Sequence, residues 1–278
     1  MGIVDFILDL AGLLLWIKWR SLPFDPFNKR TPATLVGTLR RAAPSRFRRW
    51  HLLAAIGALL FLRAVFYRQI GPAVHWAGCL NLGVTLAYFR SDWFACILLF
   101  SILSFALTLA VFYLWLLLFS VLAGPAAETE PAHRPVRVQL GAIDCWPLGL
   151  KLFLPLLAAT LLWWLATWPL SWLHIIPQVS ELRRAGESLV VGLGSYAAWE
   201  YAAAALLLLD LLNTYIYFGK HPLWNYTDTL ARTLLIPLKK IPLRAGRVDF
   251  APVIGIVLVF VIGEFAEYWL PKLYAKLL

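Results

Sequence analysis

The feature that most constrains this chain is a series of apolar runs, each long enough to cross a lipid bilayer. A helix needs about 17 to 20 apolar residues to cross a ~30 Å hydrocarbon layer. Residues 51–67, 93–122, 148–172, 189–218 and 251–270 meet that length. Composition agrees, since 61% of the 278 residues are apolar and only 14% are charged, against about 25% charged in soluble domains. One water-facing globule cannot hide so much apolar surface. The expected fold class is all-α: a polytopic helical membrane protein. The runs at 93–122 and 189–218 are ~45 Å of helix at ~1.5 Å per residue, so they must tilt or project from the bilayer.

Residues 3–17 form a shorter apolar segment with Asp5 and Asp9 near its start and basic residues only after it. A cleavable signal peptide has the opposite polarity, with a basic region first. The segment reads as an uncleaved anchor with its N-terminus outside, which makes about six spans. Residues 70–89 have the right length but contain Gly71, Pro72, Gly78, Asn81 and Gly83. Topology arbitrates here through the placement of charge.

Net charge is +10, and residues 18–50 carry nine Lys/Arg against Asp25 alone, while residues 219–250 carry six against Asp228 and Asp249. Basic loops between spans mark the cytoplasmic side and can lie on anionic lipid headgroups. That placement explains the charge without nucleic acid. If both loops are cytoplasmic, an even number of spans separates them, so 70–89 is expected to be interfacial or re-entrant on the outer side. Trp163, Trp164, Trp168 and Trp172, with Trp146, read as an aromatic belt at the membrane boundaries.

Chemical motifs are sparse. Cys79, Cys96 and Cys145 form no CxxC pair. His51, His75, His133, His174 and His221 are not placed mid-span, as facing axial haem ligands would be. Ser195 follows Gly192-Leu193-Gly194 without a preceding strand, so it lacks the setting of a nucleophile elbow. No phosphate-binding or dinucleotide fingerprint occurs. We expect no enzyme activity, no metal and no cofactor.

An internal repeat is the most specific signal. Gly141-Ala142-Ile143-Asp144-Cys145-Trp146-Pro147 and Gly246-Arg247-Val248-Asp249-Phe250-Ala251-Pro252 both read G-x-[IV]-D-x-x-P, 105 residues apart. Basic residues precede each copy (Arg134 and Arg137; Lys239, Lys240 and Arg244) and a span follows it. Two tandem helical-hairpin units, parallel in the membrane, are expected. Glycine frees the turn, proline suits a first helical turn, and Asp144 and Asp249 are read as caps of the helices that follow.

The segment Pro237-Leu238-Lys239-Lys240-Ile241-Pro242-Leu243-Arg244-Ala245-Gly246-Arg247-Val248-Asp249-Phe250-Ala251-Pro252-Val253 resembles the hallmark of the YggT family, also called YlmG: a Pro-Leu-basic-basic run leading to Gly-x-hydrophobic-Asp-x-small-Pro. His221-Pro222-Leu223-Trp224-Asn225 is similar to the Asn-Pro loop common after the family's first helix. In the first copy Gly141, Asp144 and Pro147 survive, but His133-Arg134-Pro135-Val136-Arg137 replaces the basic run and Trp146 stands where a small residue is usual. The resemblance covers residues 93–172 and 189–272 as two YggT-like units. Residues 1–92 remain as an anchor helix, a basic loop, one span and an interfacial segment. It implies a multi-pass protein of the bacterial cytoplasmic membrane without established enzymatic activity. Family members are associated with osmotic tolerance or ion uptake, with division and nucleoid organisation, and with assembly of membrane complexes.

Charges inside spans cost about 2.5–3.5 kcal/mol each at mid-bilayer on insertion scales. Glu200 and Asp210 lie on one such helix and Glu264 and Glu267 on the last. They are candidate members of a proton or cation path, the alternative being that each pairs with a cation such as Arg63 or Lys151, or sits near an interface. The expected function is an assembly or organising factor whose basic loops meet headgroups and a membrane-protein partner. The rival is an ion or osmolyte transporter.

Overall fold

A computed structural model describes residues 2–21, 49–71, 78–82, 84, 86–90, 93–124, 130–176, 179–216, 222–238, 244–245 and 248–277. Among these the chain is helical, with two short strand pairs: α1 (Gly2–Ser21), α2 (Arg49–Ile70), β1 (Gly78–Asn81), β2 (Leu86–Phe89), α3 (Phe94–Ala123), α4 (Arg134–Leu140), α5 (Leu148–Trp172), α6 (Glu181–Gly194), α7 (Ala198–Tyr215), α8 (Pro222–Leu234), β3 (Arg244–Ala245), β4 (Val248–Asp249) and α9 (Ala251–Leu277). Five helices are long and apolar enough to cross a membrane: Trp50–Ile70, Phe94–Ala123, Leu148–Trp172, Glu181–Thr214 and Ala251–Lys276. The protein is therefore an all-α, multi-pass membrane protein. Helix α1 has 20 residues but carries Asp5, Asp9, Lys18 and Arg20, too much charge to count as a span by length and apolar content. Six spans stay an expectation.

The fourth span begins earlier than the expected 189–218. Its first turns, in α6, are charged rather than apolar, and intrahelical pairs hold them: Arg184 with Glu181 at 3.0 Å and Arg183 with Glu187 at 3.2 Å. One 3-10 turn, Ser195–Ala197, carries the chain from α6 into α7. Ser195 Oγ there donates to the Gly192 carbonyl at 2.7 Å. Within 70–89 the chain forms the paired strands β1 and β2. Four residues of strand reach only ~13 Å, well short of a bilayer crossing.

The chain divides into two compact units, residues 1–78 with 89–109, and residues 79–88 with 110–278. In the first, α1 packs on α2, and a Cβ added to Gly12 would meet the Phe105 ring at 2.6 Å. In the second, α5 packs on α6, α7 on α8, and α9 on both α6 and α7. Two indoles clasp α3 to the start of α7: Trp115 Nε1 donates to the Ala198 carbonyl at 2.7 Å and Trp199 Nε1 to the Leu114 carbonyl at 2.9 Å. Helix α8 buries Tyr226, Leu230 and Ala231 along one stripe. Tyr226 and Leu230 join Leu118, Leu122, Ala202, Ala203 and Leu206 in a core cluster. Trp146, Trp168 and Trp172 are exposed, as a belt requires, but Trp163 is buried in the protein.

Gly192 permits the close approach of α5 and α6. A Cβ there would collide with Thr160 Oγ1 and lie 2.8 Å from the Leu156 backbone carbonyl. Backbone cannot swing aside as a side chain can. We expect Gly192→Val to cost about 1–3 kcal/mol through overpacking, read as a lowered unfolding midpoint in detergent.

The two motif copies have different backbones. Residues 141–145 form a 3-10 turn, whereas Val248–Asp249 pairs antiparallel with Arg244–Ala245, Arg244 facing Asp249. A long apolar helix follows each.

Candidate functional site

The site grows from the segment joining α3 to α5. Residues 131–133 make a 3-10 turn that runs into α4. Gly141 ends α4 with φ 62° and ψ −128°, a conformation that side chains disfavour and glycine tolerates. That turn reverses the chain, and the 3-10 turn after it carries Asp144 back toward α3. Pro147 then occupies the N-cap position of α5 in extended conformation. The spacing of Gly141, Asp144 and Pro147 is thus reversal, return and restart.

The expected capping role of Asp144 is overturned. Pro147 is the N-cap of α5, and no side chain caps that helix. The Asp144 carboxylate instead accepts from Ser120 Oγ at 2.6 Å, from His133 Nε2 at 3.1 Å and from Arg137 Nε at 3.3 Å. Behind Ser120 stands Lys151 in the first turns of α5, its Nζ donating to Ser120 Oγ at 2.8 Å. Behind His133 stands Tyr226 of α8, 2.8 Å from Nδ1. The two ring nitrogens of His133 thus bridge Asp144 and the Tyr226 hydroxyl. A continuous chain of hydrogen bonds therefore runs Lys151, Ser120, Asp144, His133, Tyr226. Three spatially separate helices, α3, α5 and α8, are tied through it to the loop.

One carboxylate serves two cations in the network. Asp144 faces Lys151 through one hydroxyl and Arg137 directly. Ser120, His133 and Lys151 are all buried, while the Arg137 side chain is 45% exposed. Burial pushes the Asp144 carboxyl up, but the hydrogen bonds from Ser120, His133 and Arg137 together outweigh it and hold the carboxyl below its ordinary value. Burial, reinforced by the negative charges of Asp144 and Glu130, raises the Tyr226 hydroxyl well above its ordinary range, so it stays a donor. A carboxylate with a depressed folded-state value stabilises the fold above its unfolded value and loses that contribution as pH falls through the folded one. We expect wild-type stability in detergent to decline below about pH 4, and the decline to be smaller in Asp144→Asn. Nearly identical pH profiles would contradict the assignment.

Lys151 donates to Ser120 Oγ and Ser120 donates onward to a carboxylate, so the hydroxyl has no neutral base to activate it. None of the buried members is open to a substrate.

The other residues singled out in the sequence fall differently. Pro237 is exposed in the turn after α8, and Pro252, the second residue of α9, is buried. Its neighbour Ala251 packs with Leu207, Ala231, Leu235 and Leu238. Lys239, Lys240 and Gly246 lie outside the described residues, and of Asp249 only the backbone pairing is described. The Glu200 carboxylate lies against Gly263 of α9, where Glu264 and Glu267 act on it as like charges. All three sit near the midpoints of their spans. Asp210 is buried but stands ten residues along α7, ~15 Å further down the axis. Of the suggested cations, Lys151 belongs to the Asp144 network, and Arg63 pairs with Asp5 and Asp9 at 2.6 and 2.7 Å.

Ser120, His133, Lys151 and Tyr226 escaped the sequence reading as a group. The available signal was Lys151, a cation just inside an apolar span beside an otherwise unexplained Asp144. Comparison of the chain with protein-family models, with curated proteins and with solved structures gives no match.

Proposed function

We propose that this protein is a non-enzymatic membrane protein of the YggT type, an assembly or organising factor of the bacterial cytoplasmic membrane. The observation that carries the reading is the Asp144 network: the most chemically capable side chains of the second unit are spent on one another and hold helices in place. On this reading the G-x-[IV]-D-x-x-P motif is a structural fastener at the membrane edge. The basic loops remain available to anionic headgroups and to a membrane-protein partner. The shared order of long helix, short helix, motif and long helix in α3–α4–α5 and α7–α8–α9 supports two tandem units, although the motif backbones differ.

The test is crosslinking in native membranes followed by purification of the full chain. A defined partner at fixed stoichiometry is the expected result. Its absence shifts the reading to a transporter, which the mid-span convergence of Glu200, Glu264 and Glu267 favours. For that rival, reconstituted vesicles report directly: Glu200→Gln and Glu264→Gln should each abolish cation flux if those acids form a path, and unchanged flux rules the path out.

A further inference from the structure

Helices α1 and α2 and the first half of α3 enclose a second polar cluster, in the first unit. Asp5 and Asp9 are one helical turn apart and share a face of α1. Between them sits Arg63 of α2, whose side chain is 0% exposed. Its NH2 donates to Asp5 Oδ1 at 2.6 Å and its NH1 to Asp9 Oδ1 at 2.7 Å. Ser104 of α3 donates to Asp9 Oδ2 at 3.3 Å and accepts from Arg63 NH2 at 3.1 Å. The Tyr67 hydroxyl donates to Asp5 Oδ1. The rings of Tyr67 and Phe100 flank the guanidinium at 5.7 and 5.5 Å.

The charges in this cluster do not balance. Two carboxylates face one guanidinium, and the remaining polar members from the three helices, Tyr67 and Ser104, are neutral. An unmatched charge in a buried site is expensive, and neutralisation is its usual resolution. A metal ion does not fit, because the fixed positive charge of Arg63 occupies the space between the carboxylates. A proton does. Both Asp9 oxygens are engaged, whereas Asp5 Oδ2 has no hydrogen-bond partner among the described residues and Asp5 is the more open of the pair, 24% exposed against 14%.

We propose that Asp5, Asp9 and Arg63 form a proton-binding site in which the two carboxylates together hold one exchangeable proton. A hydronium ion gives its proton to a carboxylate oxygen of the pair, one O–H bond forms and a water molecule leaves. Release reverses the step. Arg63 then carries one counter-charge in the loaded state and two in the empty state.

Infrared difference spectroscopy of the full chain in lipid nanodiscs across pH reads this directly, through the carboxylic-acid C=O stretch. Among the titrating carboxyl signals of the wild type, one is expected to disappear in Asp5→Asn. It should also disappear in Asp9→Asn, because the single remaining acid then forms a balanced pair with Arg63. Each single variant should keep an unfolding midpoint close to wild type, while Asp5→Asn with Asp9→Asn strands Arg63 and lowers the midpoint sharply. Single variants that each lose a different signal, or that lose none, overturn the proposal.

Discussion

Replacing Asp144 by alanine is expected to be the most damaging single change in the second unit. The carboxylate is the common acceptor for Ser120, His133 and Arg137. Its removal leaves Lys151 buried with only a hydroxyl for company and takes the acceptor from His133. Removing one partner of a buried ion pair costs about 3–5 kcal/mol, because the charge left behind has neither water nor a counter-ion. The unfolding midpoint in detergent should fall accordingly. Asp144→Asn keeps an acceptor oxygen for Ser120 and loses only the charge, so it should fall part of the way. Tyr226→Phe, which removes one neutral hydrogen bond, should cost about 0.5–1.5 kcal/mol. If all three behave alike, the network is not a unit. Asp249→Ala alongside them tests the repeat: a loss like that of Asp144→Ala would give both motif copies the same work.

The second large effect is expected at Arg63. Arg63→Met preserves length and apolar contact with Phe100 but leaves Asp5 and Asp9 facing each other without a cation. The loss should again be about 3–5 kcal/mol, and it should appear as detachment of α1, read by protease accessibility of that helix in nanodiscs. Arg63→Lys separates charge from geometry. An ammonium supplies the charge but cannot form the planar two-pronged arrangement that reaches Asp5, Asp9 and Ser104 together, so an intermediate loss is expected. Equal stability of Arg63→Met and wild type would mean that α1 is held by apolar packing alone.

The long helices were legible because lipid leaves the backbone few choices and length alone decides. Glu200, Asp210, Glu264 and Glu267 were visible as charges inside spans, but spacing along one helix does not say which acids of another it meets. Asp210 was grouped with Glu200 although ten residues of one helix, ~15 Å, set the two apart. Asp144 was recognised as special and given the wrong partner. A motif read along the chain points its carboxylate forward at the next helix, but the positive φ of Gly141 sends it backward. Arg63 was visible as a cation within a span, yet its acids lie more than fifty residues away on a segment whose two carboxylates looked like flanking charge. Long-range pairing of that kind leaves no local trace in a sequence.

The crossed indole bonds of Trp115 and Trp199 carry a mechanical consequence. Each tryptophan reaches a carbonyl one residue away from the other's position, Ala198 beside Trp199 and Leu114 beside Trp115. Sliding either helix along its axis, or spinning it, strains both grips at once. Any rearrangement of this half of the molecule must therefore swing the pair as a single lever, with the pivot elsewhere.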